Sequence, residues 1–292
     1  MAASGEARDG APVIEVARHA GVCYGVERAL DLAHRAAAEA VAPVQTLGPL
    51  IHNPRVVDEL AREGVGLAAG LDGVRGGTVV IRAHGVVPEV VDEARSRGLA
   101  VIDATCPYVK KVHAAAERLC REGYQLIVLG EAGHPEVEGI MGHADGRARV
   151  VSDASDLEGL ELARRVGVVV QTTQTDERLA EVVAALAPRV QELVVVNTIC
   201  KATHERQESA AELARRADAM FVVGGKNSGN TRRLAQICAA ACPGTHHIES
   251  AAEIDPSWLS GCALIGVTAG ASTPAAHIRE VTERVRAIVG GA

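Results

Sequence analysis

The chain has 292 residues, of which 48% are hydrophobic and 23% charged, and a formal net charge of −7. That length can bury two or three small α/β cores. The acidic balance and an aromatic content of 2% argue against a nucleic-acid surface, which needs cations for phosphates and rings for base stacking. No apolar run approaches the roughly 18–20 residues of a membrane span, so no membrane partner is expected. Residues 1–12 read as a flexible leader, small and polar, without the apolar centre of a secretory signal. A cytoplasmic location is expected, where thiols stay reduced and widely spaced cysteines act as ligands or core rather than disulfides.

Short apolar strands alternate with helical stretches along the chain, the pattern of parallel α/β layers. Strand 13–18 leads to Cys23 and a helix over 24–42. Strand 44–47 then ends in Gly48-Pro49-Leu50-Ile51-His52-Asn53-Pro54, and strand 78–81 in Arg82-Ala83-His84-Gly85. The run Ala100–Thr105 leads to Cys106 and a helix over 107–121. Strand 125–129 ends in Gly130-Glu131-Ala132-Gly133-His134-Pro135-Glu136, and strand 166–170 in Gln171-Thr172-Thr173-Gln174-Thr175. The run Leu193–Ile199 leads to Cys200 and a helix over 201–216. Strand 219–223 ends in Gly224–Thr231 and strand 262–267 in Thr268–Pro274. Strand, cysteine and helix thus recur three times, with the cysteines 83 and 94 residues apart. The expected fold is α/β, with three similar units over 13–105, 106–199 and 200–292. The alternative for strand 13–18 is to complete the third unit.

Six strand-end loops rich in glycine, histidine and hydroxyls stand where parallel sheets bind ligands. Asn53-Pro54, His134-Pro135 and Thr273-Pro274 place a polar residue before a proline suited to the first helical turn, and Thr175-Asp176 and Asn230-Thr231 begin helices similarly. Helix N-termini offer free N–H groups to anions, and His52, His84 and His134 add donors, so the loops form a cradle for phosphate oxygens. Singly, each feature is weak: a loop histidine is usually a surface hydrogen-bonder and an Asn or Ser before a helix usually a cap. Glu136 alone reads equally well as a helix-start carboxylate favoured by the dipole. Gly225-Lys226-Asn227 fails as a nucleotide-binding loop, because Asn follows the lysine and Met220 stands where the first glycine belongs. Cys120 on a helix, Cys262 on a strand, and Cys238 and Cys242 at a helix end read as small core residues.

Structural zinc draws its ligands from short Cys-x-x-Cys knuckles, and none is present. Three thiolates far apart in sequence instead imply a centre gathered from three units. An iron–sulfur cluster held by only three would keep one iron open for substrate.

The segments Ala20-Gly21-Val22-Cys23-Tyr24-Gly25-Val26, Asp103-Ala104-Thr105-Cys106-Pro107, Gly133-His134-Pro135-Glu136-Val137-Glu138-Gly139, Gln171-Thr172-Thr173, Thr203-His204-Glu205-Arg206-Gln207 and Gly266–Ser272 resemble, in order and spacing, the 4-hydroxy-3-methylbut-2-enyl diphosphate reductase family. The resemblance runs from about residue 13 to 288. It implies three α/β domains in a pseudo-threefold cloverleaf around one 4Fe–4S cluster, with Cys23, Cys106 and Cys200 as ligands. It also implies that His52, His84, His134, Ser228, Asn230 and Ser272 hold the diphosphate, and that Glu136 supplies protons. Thr172 would orient the substrate hydroxyl, and His134 would share both binding and proton delivery. The implied partners are the small diphosphate substrate and a reduced ferredoxin or flavodoxin as electron donor. Gly229 departs from a commoner serine, Tyr24 from a small residue, and Lys201 places a cation after the third cysteine. An iron–sulfur lyase for another phosphorylated alcohol and a cluster-based redox sensor are the competing readings.

Overall fold

The computed structural model describes residues 11–144 and 146–291. The leader expected over 1–12 falls, except for its last two residues, outside them. Twelve strands among the described residues form three four-stranded, wholly parallel sheets. Two compact units contain them. Tyr24–Lys201 carries two sheets, and the segment up to Cys23 joins Ala202 onward around the third.

In the larger unit, β2 (Val44–Leu47), β3 (Val65–Ala68), β4 (Thr78–Ile81) and β5 (Ala100–Asp103) lie in the order β3-β2-β4-β5. Its second sheet repeats this order with β6 (Gln125–Leu129), β7 (Arg149–Val151), β8 (Arg165–Val170) and β9 (Glu192–Val196), arranged β7-β6-β8-β9. In the smaller unit β10 (Ala219–Val223), β11 (Thr245–Ile248) and β12 (Leu264–Ala269) repeat it once more. There the fourth place goes to β1 (Val13–Val16), with Val13 opposite Leu264 and Val16 opposite Val267. The strand written at the head of the 13–105 unit therefore stands in the last sheet.

Central strands β4, β6 and β10 are buried throughout, and each is an apolar run as expected of a strand covered on both faces. The fourth strands β1, β5 and β9 are half-exposed edges. Each ends just before a cysteine, and the helix that follows starts the next stretch of chain: α1 (Tyr24–Glu39), α4 (Pro107–Arg121) and α7 (Lys201–Ala214). Ala29, Ala33 and Ala36 of α1 pack with Val44 and Val80; Val112, Ala116 and Leu119 of α4 pack with Leu126 and Val128. Ala210 and Leu213 of α7 pack with Met220 and Val222. With few rings available, the cores are built of Val, Leu, Ile and Ala, with Tyr124 buried in one and Phe221 in another.

Local boundaries differ from expectation in several places. α1 stops at Glu39, ahead of Ala42-Pro43, because the residue before proline is pushed out of helical conformation. β12 begins at Leu264 rather than 262: the Asp218 carboxylate accepts from the N–H groups of Ala263 and Leu264, both at 2.8 Å, holding that stretch as a turn. Cys262 accordingly lies ahead of the strand, its thiol 3.6 Å from the Trp258 carbonyl. The helix expected to start at Asn230-Thr231 is α8 (Gly229–Ala241), capped by Ser228, whose hydroxyl accepts from Thr231 N–H at 3.3 Å. In α9 (Ala275–Gly290), Pro274 occupies the cap itself.

Candidate active site

In each sheet the chain leaves the first strand to one side and returns to pair the third on the other, so a crevice opens beyond the ends of these two central strands. The loops singled out by sequence all sit there, after β2 and β4, β6 and β8, and β10 and β12.

Within Tyr24–Lys201, three histidines meet. His52 follows β2, one residue ahead of Asn53, which caps α2 (Pro54–Arg62) by accepting from the N–H groups of Arg55 and Val56. His84 follows β4, in a loop tied to the first by Ala83 N–H donating to Leu50 O at 3.0 Å. His134 caps α5 (Pro135–Gly142): its Nδ1 accepts from Glu136 N–H at 3.1 Å. An accepting Nδ1 leaves the neutral ring's proton on Nε2. Ring centroids lie 4.2 Å apart for His52–His84, 5.1 Å for His52–His134 and 5.6 Å for His84–His134. Burial, then the neighbouring imidazoles and Arg82, hold the His84 pKa well below the usual histidine range, so this ring is neutral near pH 7. Its Nδ1 is buried and has no hydrogen-bond partner among the described residues.

Glu136, 2% exposed, lies in the first turn of α5. Thr172, in the loop after β8, meets it twice: the backbone N–H donates to Oε1 at 2.7 Å and the hydroxyl to Oε2 at 2.9 Å. Those bonds favour the carboxylate, yet burial outweighs them and pushes the pKa up to about 7. Glu136 can therefore hold a proton near neutrality and release it. A protonated Oε2 would donate to the Thr172 hydroxyl, reversing that bond without moving either side chain.

In the smaller unit, Ser228, Asn230 and Ser272 are all buried on the loops after β10 and β12. Asn230 lies in the first turn of α8, and among the described residues both of its side-chain amide atoms are buried without a partner. The hydroxyls of Thr231 and Thr268 share that condition. Buried polar groups left unpaired cost free energy, so four such atoms beside a helix N-terminus mark a place built for a polar ligand. Two glycines make the room: a Cβ on Gly224 would come within 2.6 Å of Thr273 Oγ1, and one on Gly270 within 2.1 Å of Thr231 Oγ1. Gly270→Ala is expected to lower stability by ~1–3 kcal/mol, the usual cost of overpacking, and to displace Thr231 and Asn230. Calorimetry and substrate affinity would check both. Lys226, in the same loop, pairs with Glu253 at 2.9 Å, and Glu249 accepts from its backbone N–H at 2.7 Å, so its ammonium is turned to a carboxylate.

The three cysteines are fastened alike. Cys23 N–H donates to Ala271 O at 3.2 Å, Cys106 N–H to Ala83 O at 3.0 Å and Cys200 N–H to Thr172 O at 3.1 Å. Each therefore hangs from the loop after the third strand of its own sheet, beside Ser272, His84 and Thr172 respectively. All three are partly exposed thiols outside any disulfide. Among the described residues no three His, Cys, Asp or Glu side chains are gathered for one metal ion. What bears on a cluster is the donor chemistry and this threefold fastening, and both fit soft thiolate ligation. Cys238 and Cys242 are buried, and burial pushes the Cys238 thiol up to about 12, which suits inert core.

Arg82, Thr231 and Thr268 stand within the segments that the sequence marks, but sequence reasoning singles out none of them. Arg82 carries a signal, an arginine ending an otherwise apolar strand shortly before the histidine. The two threonines carry none, since threonine is an ordinary strand and helix-start residue.

Fold and site together define a parallel α/β protein of three like sheets, with one thiol near a strand end per sheet and polar loops beyond the central strands. Residues 14–286 match the LytB protein family, and the chain belongs to it. It is similar to the 4-hydroxy-3-methylbut-2-enyl diphosphate reductases of Aquifex aeolicus, at 47% identity over 95% of this chain and 97% of that protein, and of Citrifermentans bemidjiense, at 50% over 94% and 96%. A solved (E)-4-hydroxy-3-methyl-but-2-enyl diphosphate reductase, described as the terminal enzyme of the non-mevalonate pathway, is 47% identical over 94% of this chain and 99% of that chain, with a TM-score of 0.70. The Plasmodium falciparum E-1-hydroxy-2-methyl-but-2-enyl-4-diphosphate reductase is 25% identical over 95% and 89%, with a TM-score of 0.90.

Proposed function

We propose that the protein is an oxidoreductase that removes the hydroxyl of 4-hydroxy-3-methylbut-2-enyl diphosphate, giving isopentenyl and dimethylallyl diphosphates. The observation that carries this reading is the buried Glu136–Thr172 pair, a carboxylic acid whose pKa is raised to about 7, two residues from a histidine of the anion cradle. Family membership supplies the substrate class.

Hydroxide leaves poorly, so the reaction needs an acid at the departing oxygen and electrons for the carbon. Cys23, Cys106 and Cys200 would hold a 4Fe–4S cluster, which supplies electron transfer and a Lewis-acidic iron when bound. Protein groups do the rest. His52, His84 and His134 with Ser228, Asn230 and Ser272 anchor the diphosphate, which undergoes no chemistry but fixes where the far end of the molecule lies. Thr172, held at Glu136, orients the substrate hydroxyl. Glu136 delivers a proton as the C–O bond breaks, so the oxygen leaves as water. Two electrons from a reduced ferredoxin or flavodoxin and a second proton at either end of the allylic unit complete the balance. Among the described residues no helix is long and apolar enough to cross a membrane, and the reduced thiols suit the cytoplasm.

The test is anaerobic turnover with a strong artificial reductant, together with iron and acid-labile sulfide analysis. Reductant-dependent formation of both products supports the reading; turnover without reductant would point to a lyase. A pH profile adds a check on the acid. Glu136 is active protonated, so kcat/KM should be flat below about pH 7 and fall with rising pH above it, toward tenfold per unit. A profile rising through that range would remove Glu136 from the acid's role.

A further inference from the structure

Arg82 is partly buried, with a side chain 18% exposed, and its guanidinium faces three segments of the larger unit. Nε donates to Gly85 O at 3.1 Å, fixing the turn directly after His84. Nη1 lies over Gly48, where a Cβ would come within 2.7 Å of it. Gly48, at φ +70°, opens the loop that leads to His52 and is tied to Ala68 O at 2.8 Å. Nη2 stands 4.0 Å from Glu138 Oε2, on the helix that His134 caps and Glu136 occupies. One side chain thus reaches the backbone or charge of all three histidine-bearing segments.

His84 brings hydrogen bonds rather than charge. His84 is held neutral, and His134 accepts at Nδ1. A diphosphate placed against them needs fixed positive charge nearby, and partly buried charges act over distance with less screening than exposed ones. Burial lowers the Arg82 pKa while Glu138 opposes the shift, yet an arginine stays charged at neutral pH.

We propose that Arg82 is a positioning residue of the anion cradle: its fork locks the His52, His84 and His134 segments together, and its charge offsets that of a bound diphosphate. The proposal rests on the diphosphate reading. The experiment uses anaerobically prepared holoenzyme and a strong artificial reductant. Substrate KM, kcat and the competitive Ki of inorganic pyrophosphate are measured at low and high ionic strength for the native protein, Arg82→Gln and Arg82→Lys. Arg82→Gln is expected to raise KM and Ki roughly tenfold, as loss of a fixed charge near a bound anion does, and to leave kcat within about twofold because ground and transition states lose it equally. Its KM should also depend less on salt. Arg82→Lys should keep the salt dependence but recover only part of the affinity, since an ammonium cannot serve three directions as a planar fork does. Unchanged KM and Ki in Arg82→Gln, or a loss confined to kcat, overturns the proposal. If Arg82→Gln does not fold, Arg82→Lys decides: a raised Ki supports the clamp and an unaltered one overturns it. Native enzyme that turns over without inhibition by pyrophosphate would fault the diphosphate reading itself.

Discussion

Glu136→Gln is expected to lower turnover by about 10²–10⁴-fold, the usual worth of a general acid, while substrate still binds. Glutamine keeps the volume and one carbonyl acceptor, so Thr172 N–H at 2.7 Å retains a partner. What disappears is the one proton that burial holds on this side chain near pH 7. The cradle histidines should fail in the other sense. Loss of His52 or His84 removes interactions made in both ground and transition states and so raises KM more than it lowers kcat. His134 both caps α5 and sets the Glu136 backbone, at 3.1 Å, so its variant should lose on both counts. Steady-state kinetics with a strong reductant, alongside the EPR response to added substrate, separates these outcomes. Near-normal turnover in Glu136→Gln together with normal substrate binding in the histidine variants would overturn the roles of acid and anchor alike.

Serine at Cys23, Cys106 or Cys200 is expected to abolish the iron–sulfur absorption and EPR signals. Serine at Cys120, Cys238, Cys242 or Cys262 leaves them intact. The substitution is local: each of the three cysteines is fastened through its backbone N–H to the adjacent loop, a bond that serine keeps. Only the soft thiolate is lost, and it is what binds iron. The buried Cys238→Ser should instead cost some stability, because a hydroxyl enters an apolar core where the thiol sat at 0% exposure. Tightly bound zinc without acid-labile sulfide in anaerobically prepared protein would sink the cluster assignment.

The three strand–cysteine–helix repeats and the six polar loops are visible in the chain because their causes are local. A strand buried on both faces must be an apolar run, as in Val79-Val80-Ile81 and Leu126-Ile127-Val128-Leu129. A helix start must find a cap, as Asn53, His134 and Thr175 supply. That these loops sit at ligand-binding ends follows from the rule for parallel sheets. The resemblance to a known family then attaches a substrate to positions that the pattern already marks.

Non-local pairing and desolvation lie beyond the reach of such patterns. Val13–Val16 is a short edge strand that fits any sheet, and its place beside β12 comes from pairing across some 250 residues, which no local pattern encodes. The turn before β12 is set by Asp218, far off in sequence, so Cys262 falls outside the strand. Glu136 looks like any helix-start carboxylate until burial lifts its pKa, and burial is a property of what surrounds it. Arg82 looks like a strand-end cation until two loops and a helix close around its guanidinium. Composition and periodicity determined which elements form and which residue types stand at their ends. Only packing decided which of those residues share a low-dielectric space, because solvent exclusion and charge proximity arise when distant segments meet.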